Sequence, residues 1–245
     1  MTRTRQPKQQ LLAFINRRGG ARRGAGRKPV GERSCVSHKK RDEFEERLPV
    51  HVTLRLADGL PTLRRGHTHY VLREVLIAGA QHDGFRLVHY AAMGNHIHIV
   101  CEADHYEKLA RGMQSVCVRI AQTLNRWWER HGKVFAERFH SHVLRSPTEV
   151  RHALAYVLRN AHHHKLLLNA ELDPFSSAAW FDGWSRTPRG SSTCETTALL
   201  PMAQTWLMTI GWKLLGLLDP SGEHARKRPR ERQPTRNSDA RRTSR

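Results

Sequence analysis

His96 and His98 flank Ile97 in the run Met93 to Val100. In an extended strand alternate side chains point to opposite faces, so both imidazoles share one face while Ile97 and Ile99 share the other. Two imidazoles on one strand face can grip a single metal ion. Further along, Val150, Leu154, Val157, Leu158 and Ala161 recur at helical spacing and form one apolar stripe. At roughly 100° per residue, Tyr156 stands about 140° from the centre of that stripe, which disfavours a packing role for its ring. Asn160 follows one turn later on the same side as Tyr156. A phenol set beside a cation can act as a covalent nucleophile on a phosphodiester, with the cation polarising a phosphoryl oxygen. Arg138, Arg145 and Arg159 neighbour these residues and have the forked donors that suit phosphate oxygens.

Those side chains need a scaffold, and the periodicities supply one. From Pro49 onward His51, Thr53 and Arg55 alternate with Val52, Leu54 and Leu56, the pattern of a half-buried strand. Residues 67–80 carry helical spacing. Phe85 to Met93 and His96 to Glu102 are apolar-rich runs joined by Gly94 and Asn95, a dipeptide suited to a tight hairpin. Leu109, Met113, Val116, Ile120, Leu124 and Trp127 mark the buried stripe of a long helix, and His140 to Leu144 reads as a fourth strand. Ser146, Pro147 and Glu149 form a helix start with a capping box. Strand, helix, strand, strand, helix, strand is the ferredoxin-like βαββαβ order, so the expectation is an α+β domain with an antiparallel sheet and an added helix bearing Tyr156. Residues 171–184 read as a packed return segment in which Trp180 and Trp184 close an apolar surface. Leu199 to Leu218 reads as a packed helix, since Gln204, Thr205, Thr209, Gly211 and Lys213 interrupt it too often for a membrane span.

The chain has 245 residues, with 42 Lys plus Arg against 22 Asp plus Glu, for a formal net charge of +20. Residues 1–49 contribute +9 and residues 220–245 contribute +6, leaving +5 for the middle. Such termini seek polyanions and hold phosphates without reading sequence. Within the first of them, Arg22, Arg23, Arg27 and Lys28 lie in a Gly-rich stretch expected to touch DNA; Gly26 to Pro29 resembles the minor-groove hooks of chromatin proteins. The expected organisation is a disordered basic arm over 1–48, a catalytic domain over 49–187, a helical extension over 188–219 and a disordered basic tail over 220–245. Cys35, Cys101, Cys117 and Cys194 lie far apart with no CxxC pair, which argues against a zinc ribbon or disulfide framework and fits a reducing cytosol. The first residues are basic and polar with no apolar stretch behind them, unlike a signal peptide.

Met93 to Val100 resembles the metal-binding strand of the single-tyrosine, His-hydrophobe-His transposases. Phe135 to Phe139, the strand ending near Arg145, and Tyr156 followed by Asn160 resemble the end of the catalytic domain of the REP-associated members. The match spans roughly residues 49–165 in the family's order. The resemblance implies that Tyr156 attacks DNA and that His96, His98 and Asn160 hold a divalent metal, Mg²⁺ with Mn²⁺ as the alternative. It implies a single-strand DNA endonuclease and strand transferase, acting at hairpin-containing DNA through a 5′-phosphotyrosine, in a bacterial, nucleoid-associated setting. Members include dimers with shared sites and others that act alone, so homodimer and monomer both stay open. One departure stands out: where family members continue with Asn-Pro-Val, this chain has Asn160, Ala161 and then His162 to His164. Without the proline the helix is expected to run longer, ending in a basic terminus that the helix dipole favours. The rival reading is a catalytically silent DNA- or RNA-binding protein of the same fold.

Overall fold

A computed structural model describes residues 43–164, 166, 171–189 and 199–221. Arg22, Arg23, Arg27 and Lys28, and the tail beyond Ser221, lie outside the described residues. The elements run β1 (Leu48–Arg55), α1 (Gly66–Ala78), β2 (Gln81–His82), β3 (Phe85–Ala92), β4 (His96–Ala103), α2 (Tyr106–Trp127), β5 (His140–Val143), α3 (Pro147–Leu158), α4 (Asn160–His163) and α5 (Trp206–Thr209), with 3₁₀ turns at Ser177–Trp180 and Gly211–Leu215. The sheet order is β2-β3-β4-β1-β5 and every pairing is antiparallel. Leaving aside the two-residue β2, this is the expected α+β arrangement. Order begins earlier than Pro49, because Phe44 is already part of the core.

The sheet has a filled face on each side. On one, Val50, Val52, Leu54, Ile97, Ile99 and Leu87 meet Leu72 and Leu76 of α1 and the Leu109-to-Leu124 stripe of α2. The long helix can lie this close to β3 because position 112 is glycine: a Cβ there would sit 2.2 Å from the Phe85 ring. On the other face Val88, Ala91 and Val100 meet Val150, Leu154, Val157 and Leu158 of α3. A register shift between Leu87 and His89 puts Val88 and His89 on this second side in succession, so that Ala91 follows them there. The α3 start has the anticipated cap: Ser146 accepts from the Glu149 N–H, and the Glu149 carboxylate takes the Ser146 N–H at 3.0 Å.

Leu199 to Leu218 is not one helix. Thr205 caps a four-residue α5, Ile210 leaves helical geometry at φ −123°, and Gly216 takes φ +90°, which favours glycine, at the end of the 3₁₀ turn. The segment packs back onto both faces of the domain. Met208, Trp212 and Leu218 complete the core against α3, and Leu200 joins the core on the other face. Glu102, 1% exposed, fastens it by accepting from the N–H groups of Gln204 (2.8 Å) and Thr205 (2.7 Å) and from the Thr205 hydroxyl (2.7 Å). Among the described residues no helix is long and apolar enough to cross a membrane.

Candidate active site

β4 sets His96, His98, Val100 and Glu102 toward α3. The register places Thr53 of β1 beside His98, and His51, two residues earlier, on the same face. His98 is enclosed, 4% exposed. Its Nδ1 lies 3.2 Å from His51 Nε2 and 3.2 Å from Thr53 Oγ1. Its Nε2 is buried and has no hydrogen-bond partner. His96, half-buried, stands edge-on to His98 with ring centroids 4.8 Å apart, and its Nδ1 lies 2.9 Å from Asn95 Oδ1.

Helical phase does what the stripe implies for Tyr156. While Val150, Leu154, Val157 and Leu158 are buried, Tyr156 keeps 43% of its surface. Its ring stands edge-on to His98 at 5.1 Å and to His51 at 5.9 Å. An exposed phenol is thus seated against two imidazoles, one of which carries an unused nitrogen.

Asn160 departs from expectation. The missing proline does not lengthen the helix: α3 ends at Leu158, Arg159 turns out of helical geometry at φ −112°, ψ 13°, and a short α4 begins at Asn160. The change of direction encloses Asn160 completely, at 0% exposure, and neither its Oδ1 nor its Nδ2 has a partner. Arg159 is 8% exposed, and its guanidinium donates to the carbonyl of Asp219 at 3.1 Å, so it faces the C-terminal segment and is not presented to a ligand. Burial, then Arg151, lowers its pKa. Arg138 and Arg145 are exposed, and the Arg145 backbone N–H donates to Glu149 at 2.7 Å.

The imidazoles are neutral at ordinary pH. Burial first, then the charges of His51, His96 and His164, pushes His98 down to about 3. Burial and then His142 pushes His51 down to about 4, and burial lowers His96, helped by His164 and Arg55. Neutral imidazoles keep the lone pairs that a cation requires. Among the described residues no three His, Cys, Asp or Glu side chains converge as a metal site. The donors that the sequence singles out are two imidazoles and the Asn160 amide. They fit a cation in one telling respect: the unpartnered buried polar atoms include His98 Nε2 and both amide atoms of Asn160, and buried polar groups are otherwise paired.

His51 and Thr53 escaped the sequence reading. Their period-two alternation was visible, but which β4 side chain they meet depends on strand register, for which the local pattern contains no signal. Trp184 plays the packing role expected of it, donating to the Ala178 carbonyl at 3.0 Å with its ring against Phe181.

No protein-family model and no curated protein matches the chain. Among solved structures it is similar to a REP-associated tyrosine transposase bound to a REP hairpin, at 16% identity and a TM-score of 0.48, over 58% of this chain and 82% of that one. It is also similar to a provisionally assigned transposase from Deinococcus radiodurans R1, at 14% identity and a TM-score of 0.36, over 46% of this chain and 91% of that one.

Proposed function

We propose that this chain is a metal-dependent single-strand DNA endonuclease and strand transferase, a transposase, with Tyr156 as its nucleophile. The observation that carries the reading is the seating of an exposed phenol edge-on against His98, whose Nε2 is buried without a partner. The motif order from Met93 to Asn160 supports it from the sequence side. His96, His98 and Asn160 would hold the cation, Mg²⁺ or Mn²⁺, which when bound polarises a phosphoryl oxygen of the DNA.

The chain's own residues do the rest. The Tyr156 phenol oxygen forms a bond to phosphorus as the bond to the sugar 3′-oxygen breaks; the phenol gives up its proton and the leaving oxygen gains one. The products are a 5′-phosphotyrosine and a free 3′-hydroxyl. Attack on that linkage by another 3′-hydroxyl joins new ends and restores the phenol, so no external energy source is needed. The rings of His51 and His98 fix the direction of the phenol, the near-attack positioning that makes a bimolecular step effectively unimolecular. Arg138 and Arg145, both exposed, would meet DNA phosphates; Arg159, turned inward, is withdrawn from that role. The arm residues Arg22, Arg23, Arg27 and Lys28 would add attraction that weakens with salt.

Hairpin-containing single-stranded DNA incubated with the protein and Mg²⁺ should give an adduct that survives denaturing electrophoresis. Tyr156→Phe should abolish the adduct with little change in thermal stability, since the lost hydroxyl belongs to an exposed ring. Cleavage persisting in Tyr156→Phe would mean that water is the nucleophile. Binding without cleavage in the native protein would favour a silent binder.

A further inference from the structure

We infer that His51 and Thr53 are positioning residues that hold His98 in one tautomer, with its proton on Nδ1 and its Nε2 lone pair turned into the site. The inference deepens the proposed function and rests on it for its purpose, although its first readout requires no metal.

A neutral imidazole has one donor nitrogen and one acceptor nitrogen, and the surroundings choose between them. At His98 the surroundings are one-sided. Nδ1 faces two groups at 3.2 Å, Thr53 Oγ1 and His51 Nε2, whereas the buried Nε2 faces none. A proton on Nε2 would leave an enclosed N–H donor with nothing to receive it, the rarest kind of unsatisfied group in folded proteins. A proton on Nδ1 is shared by the threonine oxygen and the His51 lone pair. What then stays unpaired on His98 is a lone pair, the group that a cation consumes.

The same geometry assigns His51 its own state. To accept through Nε2 it must carry its proton on Nδ1. Its Nε2 is committed to the back of His98, which separates it from the ligand set although it is the third imidazole of the cluster. Thr53 suits the task because a β-branched side chain on a strand has few rotamers, so its oxygen is held where the register puts it. The arrangement also reaches the nucleophile, since the ring of Tyr156 packs against both His98 and His51. One pair of residues on β1 thus orients a ligand and braces the phenol beside it, as outer-shell partners of metal-bound histidines do.

The test uses the full chain, labelled with ¹⁵N in its histidine rings and freed of metal. Long-range proton–nitrogen spectra report the tautomer of each ring, and the His98 signals are those lost in His98→Gln. Native His98 should appear as the Nδ1–H form alone, and His51→Leu combined with Thr53→Val should admit the Nε2–H form. By calorimetry His51→Leu should lower Mn²⁺ affinity by about 10–100-fold, and His51→Gln, which restores an acceptor, should recover most of the loss. Thermal melts in chelator identify any variant that has lost its fold; the near-isosteric Thr53→Val then carries the test through the same two readouts. Native His98 protonated on Nε2, or variants with native tautomer and native affinity, would overturn the inference. If the native protein binds no Mn²⁺, the metal reading fails by itself, and the tautomer spectra still decide the role of His51 and Thr53.

Discussion

Asn160→Leu should make the metal-free protein more stable while removing its capacity to hold a cation. Asn160 is 0% exposed, and both polar atoms of its amide lack partners. Each unpaired buried polar group costs about 1–3 kcal/mol. Leucine keeps the branched shape but is bulkier, and overpacking of that kind costs about 1–3 kcal/mol. Two relieved groups against one packing cost leave a net gain of about 2 kcal/mol, or about 4–8 °C in Tm for a domain of this size. The assay is thermal unfolding in chelator, repeated with excess Mn²⁺. In chelator the variant should melt higher. With the metal at a hundredfold its Kd the native protein gains about 2.7 kcal/mol, the variant gains nothing, and the order of the two reverses. A variant that melts lower than the native protein in chelator would refute the reasoning, because it would mean that the Asn160 amide is satisfied in the fold.

Two further outcomes are expected. His69 is buried, its Nε2 3.2 Å from the Tyr90 hydroxyl, and burial followed by Arg73 pushes it down from 6.5 to about 4. The unfolded chain therefore takes up this proton first; stability is intact above about pH 6.5 and falls by about 3 kcal/mol as pH drops to 4, so His69→Gln should flatten that loss in denaturant titrations at the two pH values. Replacing Arg138 or Arg145 by alanine should each reduce the salt dependence of single-strand binding by about 0.7 in log–log slope, whereas Arg159→Ala should leave the slope at its native value and lower the melting temperature, because its guanidinium supports the Asp219 carbonyl.

What could be read from the sequence follows how local its causes are. The capping box of α3 lies within four residues and was legible outright. The exposure of Tyr156 follows from helical phase alone. Asn160 was assigned to the same open face by continuing that phase, but the chain turns at Arg159, whose side chain is drawn to a carbonyl 60 residues away. The Leu199-to-Leu218 segment was misread for a related reason. Its apolar content is real, but Thr205 caps α5, Glu102 holds the segment from 103 residues off, and no helical period governs which of its side chains are buried. His51 needed the β1–β4 register, which is settled by the whole sheet.

The grip of the C-terminal segment on α3 has a consequence for synthesis. Arg151 of α3 and Arg159 just beyond its end donate to the carbonyls of Gly216 and Asp219, and Met208, Trp212 and Leu218 fill the core beside Leu154. At about 5–20 residues per second, these partners leave the ribosome some seconds after Tyr156 does. During that interval the nascent chain holds Tyr156, His96 and His98 but lacks the side chains that pack behind α3. Chains released early by a stop codon or a protease would carry every candidate catalytic residue on an unbraced α3, so whatever the site does awaits the residues that follow it by some 60 positions.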